Sequence, residues 1–294
     1  MKILEHPYNE LDGGRWLKGN LHAHSNHSDG VRTHQQVIDD YAGRGYDFLM
    51  FADHDCLTDH ERYDRLDDHG MVLIPGNEIT AGGPHMLHVN ADRLVRPIRQ
   101  RQAVIDNIGD GDSFVIINHP NQGSSFDHCP ASLLRQLRGY RGIEIYNGMC
   151  GSDRGSPYAL GKWDMVLAEG RKVWGFASDD SHTAADVGLG WVMVYAYERT
   201  IAGVLSALKT GRFYASTGVK LKSVHVHGLH VRIETRNAAR IVAIATGGKR
   251  IGVADGPAMS VDVPPHVKYL RFECWGTGEQ FAWTQPFFVR NVAG

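Results

Sequence analysis

A series of short apolar runs in the first 190 residues each end in a histidine or carboxylate, and this one-sided placement constrains the fold most. Trp16 to Leu21 leads into His22 and His24, with Asp29 in the loop beyond. Phe48 to Ala52 leads into Asp53, His54 and Asp55, and Met71 to Ile74 leads through Pro75, Gly76 and Asn77 to Glu78. Met86 to Val89 is bracketed by His85 and His88. Phe114 to Ile117 ends in Asn118, His119 and Pro120, and Val173 to Ala177 ends in a Ser-Asp-Asp-Ser-His run holding Asp180 and His182. One polar residue at a strand end is uninformative. A succession of them, all after the apolar run, converges on the carboxyl ends of parallel strands, where barrels place their chemistry.

Between these runs lie amphipathic segments. Thr33 to Gly43 reads as a helix with Thr33 as N-cap and Gln36 as its capping-box partner. Asp59 to Asp68, Ile98 to Ile108, Pro130 to Leu137, Pro157 to Glu169 and Thr200 to Thr210 continue the rhythm, with Gly142 to Tyr146 and Trp191 to Tyr195 as further strands. Strand–helix units of this length predict parallel strands with helices outside. A barrel suits them better than a doubly wound sheet, because no glycine-rich nucleotide fingerprint occurs. Beyond Gly211 the pattern becomes alternating and helix-free: 219–226, 229–234, 240–245, 259–263, 268–275 and 287–289 read as strands of a small antiparallel, sandwich-like domain. The expected division is a catalytic unit at 1–214 and a β-domain at 215–294.

The bulk properties narrow the function. The formal charge of -2 over 294 residues shows no basic field, which argues against a polyanion binder, so no nucleic acid is expected. The first residues carry no apolar run long enough for a signal peptide, and no stretch is long enough to span a membrane, so a cytoplasmic protein without membrane attachment is expected. Cys56, Cys129, Cys150 and Cys274 form no CxxC pair and read as ordinary reduced thiols. Nothing in the sequence signals an oligomeric state.

The 17 histidines matter through their positions. Imidazole and carboxylate donors suit Zn, Mn or Fe. The candidates are too many for one ion and predict two or three divalent ions, with Glu78 as the bridging carboxylate. Such a centre supports hydrolysis by a metal-held hydroxide. Asp53, Asp55 and Asp179 are expected to orient ligating imidazoles, which commonly donate their free N–H to such groups. His27, in the same loop as Asp29, is a candidate donor to a substrate oxygen or leaving group. Asn147, on the strand carrying Glu144, is a candidate pocket residue. Lys18, Arg96, Arg141 and Arg154 are available to hold a phosphate.

In order and spacing, the motifs HAHSNHSDG, ADHD, PGNE, the His88 position, NHP and SDDSH resemble those of the PHP (polymerase and histidinol phosphatase) superfamily. WLKGNLHAHSNHSDG, GYDFLMFADHD and AWTQPFFV look more narrowly like its carbamate-hydrolase-like CehA/McbA branch. The resemblance covers about residues 15 to 195. It implies a distorted (β/α)7 barrel, an all-β tail and up to three metal ions. It also implies nine ligands. His22, His24, Glu78 and Asp180 would hold one ion. Glu78, His88 and His119 would hold a second, and Asp29, His54 and His182 a third. His22, Glu78, Asp180 and His27 are the expected catalytic residues. The expected activity is that of a metal-dependent phosphoesterase acting on a small phosphate mono- or diester. A carbamate, ester or amide hydrolase using the same centre is the main alternative. A polymerase-associated nuclease lacks an attached polymerase and a basic groove, and a non-catalytic metal-binding module is the remaining reading.

Overall fold

The computed structural model describes residues 2–9, 11–109, 111–151 and 155–291. Its strands are β1 (Lys2–Glu5), β2 (Arg15–Asn20), β3 (Phe48–Met50), β4 (Val72–Ile74), β5 (Gly76–Ile79), β6 (Met86–Val89), β7 (Phe114–Ile117), β8 (Gly142–Asn147), β9 (Trp174–Ser178), β10 (Trp191–Ala196) and β11 (Phe213–Ser216), followed by further strands to Asn291. The α-helices are α1 (His34–Ala42), α2 (His60–Tyr63), α3 (Arg101–Ile108), α4 (Ala131–Gln136), α5 (Leu160–Ala168) and α6 (Ile201–Thr210).

Local chemistry explains several boundaries. Thr33 and Gln36 form the expected capping box at the start of α1. Gly211 ends α6 at φ 82°, and a Cβ there would meet Trp174 at 2.8 Å, so both backbone and packing ask for glycine. The helix expected over Asp59 to Asp68 shrinks to α2. The Asp-rich stretch after Tyr63 ends in His69 and Gly70, both at positive φ, and aspartates favour local turns over helix interiors. Strands β3 and β7 are buried at every position, as continuous apolar strands covered on both faces must be.

The strands before β10 fall into two hydrogen-bonded sheets. Strands β2, β3 and β4 are parallel neighbours, and β2 also pairs antiparallel with β10. The other sheet runs β5-β6-β7-β8-β9. Strands β7, β8 and β9 are parallel, but β5–β6 and β6–β7 are antiparallel. The short link from Thr80 to His85 accounts for the first reversal, since a parallel crossover needs a dozen residues or more. Among the described residues the ladders do not close into a ring. Isolated parallel bridges join the two sheets: Ala23 with Ser181, beyond the ends of β2 and β9, and His54, beyond β3, with Glu78 of β5. The whole is an α/β fold with a distinct C-terminal β-rich region.

That region contains no α-helix among its described residues. Leu221–His227, His230–Thr235 and Ala258–Asp262 make a three-stranded sheet. The remaining strands extend the first sheet: β11 pairs with Phe281–Thr284, which pairs with Tyr269–Trp275. The strands Lys249–Asp255 and Phe281–Thr284 lie outside the sequence expectation, because charge and glycine interrupt the first and the second is short. Strand β1 joins the same sheet beside Phe287–Asn291.

Candidate metal centre

The isolated bridges gather the predicted residues. His24 donates its backbone N–H to Ser181 O at 2.9 Å, Asp180 donates to His22 O at 3.0 Å, and Asp55 donates to Glu78 O at 2.7 Å. These bonds lay the segment after β2 beside the one after β9, and the segment after β3 beside β5. His119 and Asp180 take left-handed backbone angles, φ 22° and 56°, a strained conformation that concentrates at functional sites.

The side chains converge in overlapping groups whose donor atoms lie within 4.8 Å of one another: His22, His24 and Asp180; His24, Asp29, His54 and His182; His22, Glu78 and His119; and His54, Glu78 and His85. Asp180 Oδ1 is 3.1 Å from Nε2 of both His22 and His24. Glu78 Oε2 is 2.8 Å from His54 Nδ1, and its Oε1 is 3.2 Å from His85 Nδ1 and His119 Nε2. Asp29 meets His54 and His182 at 3.3 Å. Glu78 thus touches several histidines through both oxygens, the placement expected of a shared carboxylate.

The donors suit divalent ions. His22 Nε2, His24 Nε2, His54 Nδ1, Glu78 Oε2 and His119 Nδ1 are buried without a hydrogen bond. Buried polar atoms without partners are costly, and lone pairs from imidazoles and carboxylates meeting at one place are what a hard-to-borderline cation takes. Electrostatics agree. Burial disfavours the charged form of His22, but Asp180, Glu144 and Glu78 outweigh it and hold the ring's pKa well above its ordinary value. Burial likewise opposes ionisation of Glu78, yet His22, His119 and His54 keep its carboxyl far below the usual range. The pocket therefore favours positive charge.

His88 does not join the cluster; His85 stands there instead. Asn77 pairs with His88 across β5 and β6, while Glu78 pairs with Leu87, so the two-residue period turns His88 to the opposite face of the sheet. His27 also lies outside. It is exposed, stacked on His34 with ring centroids 4.4 Å apart, and its Nδ1 accepts from Arg62 at 3.2 Å.

His88 has its own consequence. Both ring nitrogens are buried without partners, and burial pushes its pKa down to about 4. The unfolded chain protonates near the ordinary 6.5 and the folded chain only near 4, so acid favours unfolding within that window. Stability is full above the upper limit and falls as pH drops to the lower one, by on the order of 3 kcal/mol. In denaturant titrations across this range, H88L is expected to lose less stability than the wild type. Parallel curves would refute it.

The carboxylates around the cluster do different work from that expected. Asp53 accepts from Ser25 N, Ser25 Oγ and Ser28 Oγ, each at 2.8 Å, and so braces the loop carrying Asp29. Asp55 accepts from Thr80 N and Oγ1, holding the turn after Glu78. Asp179 accepts from Tyr41 Oη and Gly190 N, with burial pushing its pKa up to about 6. None of these hydrogen bonds reaches a ligating ring. Glu144 does: its Oε1 lies 2.7 Å from His22 Nδ1, while Oε2 accepts from His119 N and Asn147 Nδ2. A glutamate buried mid-strand between Ile143 and Ile145 was the available signal. Asn147 also donates to Asp180 Oδ2 at 3.1 Å, and Asn118 Nδ2 donates to Glu78 Oε1 at 2.6 Å.

The cluster floors a cavity of about 450 Å³ lined by Asp29, His54, Glu78, His85, His119, Gln122, Met149, Asp180 and His182. No lysine or arginine lines it among the described residues. Lys18 lies over the rings of Tyr46 and Trp191, and Arg141 donates to Lys209 O. Arg96 is exposed, and Arg154 lies outside the described residues. Burial pushes the Cys129 thiol up to about 12.

A family model described as PHP-associated matches residues 166–213. A solved two-domain protein from Bacteroides vulgatus, containing a predicted PHP-like metal-dependent phosphoesterase, superposes with a TM-score of 0.57 at 18% identity, covering 99% of this chain and 91% of that one. PsfC from Pseudomonas syringae (TM-score 0.42, 16% identity) covers 61% of this chain and 82% of its own. The lesion-specific endonuclease PfuEndoQ from Pyrococcus furiosus (TM-score 0.42, 14% identity) covers 66% and 56%. No curated protein matches the chain. The fold is thus similar to that of the two-domain Bacteroides vulgatus protein, which contains a predicted PHP-like domain. The clustered histidines and carboxylates of this chain form several adjoining groups that could hold metal ions. No described helix is long and apolar enough to cross a membrane.

Proposed function

We propose that this protein is a metal-dependent phosphoesterase that hydrolyses a small-molecule phosphate mono- or diester. The observation that carries this reading is the convergence of unpartnered buried imidazole and carboxylate atoms beneath an open cavity. The ligands would be His22, His24, Asp29, His54, Glu78, His119, Asp180 and His182, with His85 in place of His88. Bound Mn, Zn or Fe ions would supply Lewis acidity and a nucleophile at neutral pH. The chain's own part is orientation. Glu144 draws the proton of His22 to Nδ1, which leaves Nε2 free as a donor atom. Asn118 holds one oxygen of Glu78, and Asn147 holds Asp180 Oδ2. The catalytic unit is assigned to residues 1–214, and 215–294 to its support. The two sheets and their bridging residues are read as a distorted seven-unit barrel.

One observation favours a second reading. The described cavity lining has no cationic side chain to clamp a phosphate dianion, which suits a less charged substrate. A carbamate, ester or amide hydrolase of the CehA/McbA kind would fit that lining. Rates of the Mn- or Zn-loaded protein on matched aryl phosphate, bis-aryl phosphate and aryl carbamate decide the matter. Faster release from a phosphate is expected, and the diester is expected to exceed the monoester. Preference for the carbamate would overturn the phosphoesterase reading.

A further inference from the structure

Beside Glu78, a second group of rings brings His85, His119 and His128 together, with donor atoms within 4.8 Å. Taken by proximity alone, this is a tri-imidazole ligand set. The hydrogen bonding argues otherwise. His128 Nε2 accepts the backbone N–H of His85 at 3.0 Å. A backbone amide only donates, so Nε2 must present its lone pair and the neutral ring carries its proton on Nδ1. Neither nitrogen is then available to a cation unless that bond is broken.

What the bond does is hold His85. The His85 carbonyl accepts from Asn118 N at 3.1 Å, so both backbone polar groups of this residue are fixed from the segment that also carries His119. The His128 ring packs edge-on against His85 with centroids 4.5 Å apart, and lies 4.9 Å from the His119 ring. His85 is left with Nδ1 toward Glu78.

His128 is itself anchored. Lys162, on α5, donates to Pro120 O at 2.8 Å, Cys129 O at 2.7 Å and Asp127 Oδ1 at 3.1 Å. Cys129 N also donates to Pro120 O at 3.2 Å. The loop from Pro120 to Cys129 is thereby closed on itself, with His128 at its neck.

We propose that His128 is a positioning residue for the metal ion taken by Glu78, His85 and His119, acting by accepting the His85 amide rather than by ligating the ion. This rests on the metal-centre reading given above. It predicts that the acceptor, and not the ring, is what the site needs. In H128F the ring volume stays and the acceptor is lost. In H128Q the side-chain oxygen can take the place of Nε2.

The test is titration of wild type, H128F and H128Q with Co(II) and Zn(II), following the Co(II) visible spectrum and bound metal per chain. H128F is expected to bind one ion roughly 10- to 100-fold more weakly, the usual effect of removing a group that supports a ligand, with an altered Co(II) spectrum. H128Q is expected to restore both. Unchanged affinity and spectrum in H128F would overturn the proposal. So would equal loss in both variants, which would make the ring a ligand or a simple wedge. If the wild type takes up no Co(II) or Zn(II), the metal-centre reading fails and this inference with it. Normal wild-type uptake beside an unaltered H128F sinks the inference alone.

Discussion

Glu78→Gln is expected to lower turnover of the metal-loaded protein by roughly 10³-fold or more, since loss of one stabilising donor already reaches that scale. Both Glu78 oxygens face imidazoles, from His54 on one side and from His85 and His119 on the other. The amide keeps the shape and still offers an oxygen to Asn118, so folding should survive. It removes the negative charge that two cations would share. Bound metal, measured per chain after dialysis, is expected to fall by about one equivalent relative to wild type. A variant that retains both metal and rate would remove Glu78 from the centre of the site.

The second large effect concerns a pair that does not line the cavity. Arg271, on the strand Tyr269–Trp275, is buried, and its Nε and Nη2 donate to the two oxygens of Asp164 on α5 at 2.8 and 2.6 Å. Tyr269 Oη donates to the same carboxylate at 2.7 Å, and Arg271 Nη1 to Glu273 at 2.8 Å. Burial opposes the charge on Arg271, but Asp164 more than offsets it. Arg271→Met leaves Asp164 buried without its cation, and is expected to destabilise the protein by about 3–5 kcal/mol. The double variant R271M/D164L should regain most of that loss, because a well-packed apolar pair often matches a buried ion pair. Urea unfolding followed by tryptophan fluorescence measures both. A loss below about 1 kcal/mol in the single variant would show that the pair is dispensable.

Much of the site could be read from strand ends. His22, His24, His54, Glu78, His119, Asp180 and His182 each follow an apolar run, and period-two strands deliver such residues to one face. His88 shows where that reasoning stops. Its run is four residues long, and whether its first or last flank faces the cavity depends on register, which a one-residue step inverts. Glu144 illustrates a different gap. A mid-strand carboxylate was visible, but its partner, 122 residues away, was not. Asp53, Asp55 and Asp179 carried the right chemistry for orienting imidazoles, yet backbone amides and hydroxyls lay closer. The parallel order assumed throughout failed at β5 and β6, where the linker is too short for a crossover.

The pairing of β1 with Phe287–Asn291 has a temporal meaning. Lys2 lies opposite Asn291 and Leu4 opposite Val289, so β1 stays unpaired until a segment far later in the chain has been made. Tyr8 repeats the dependence, donating to Phe213 O at 2.9 Å and accepting from Gln285 N at 2.7 Å. Contacts of such long sequence separation are entropically late and slow to form. An emerging chain can assemble strands β2 to β9 around the histidines well before its outer seam closes. The candidate metal-binding residues can therefore come together before the β1 seam closes, and a cation arriving early would meet a half-built protein.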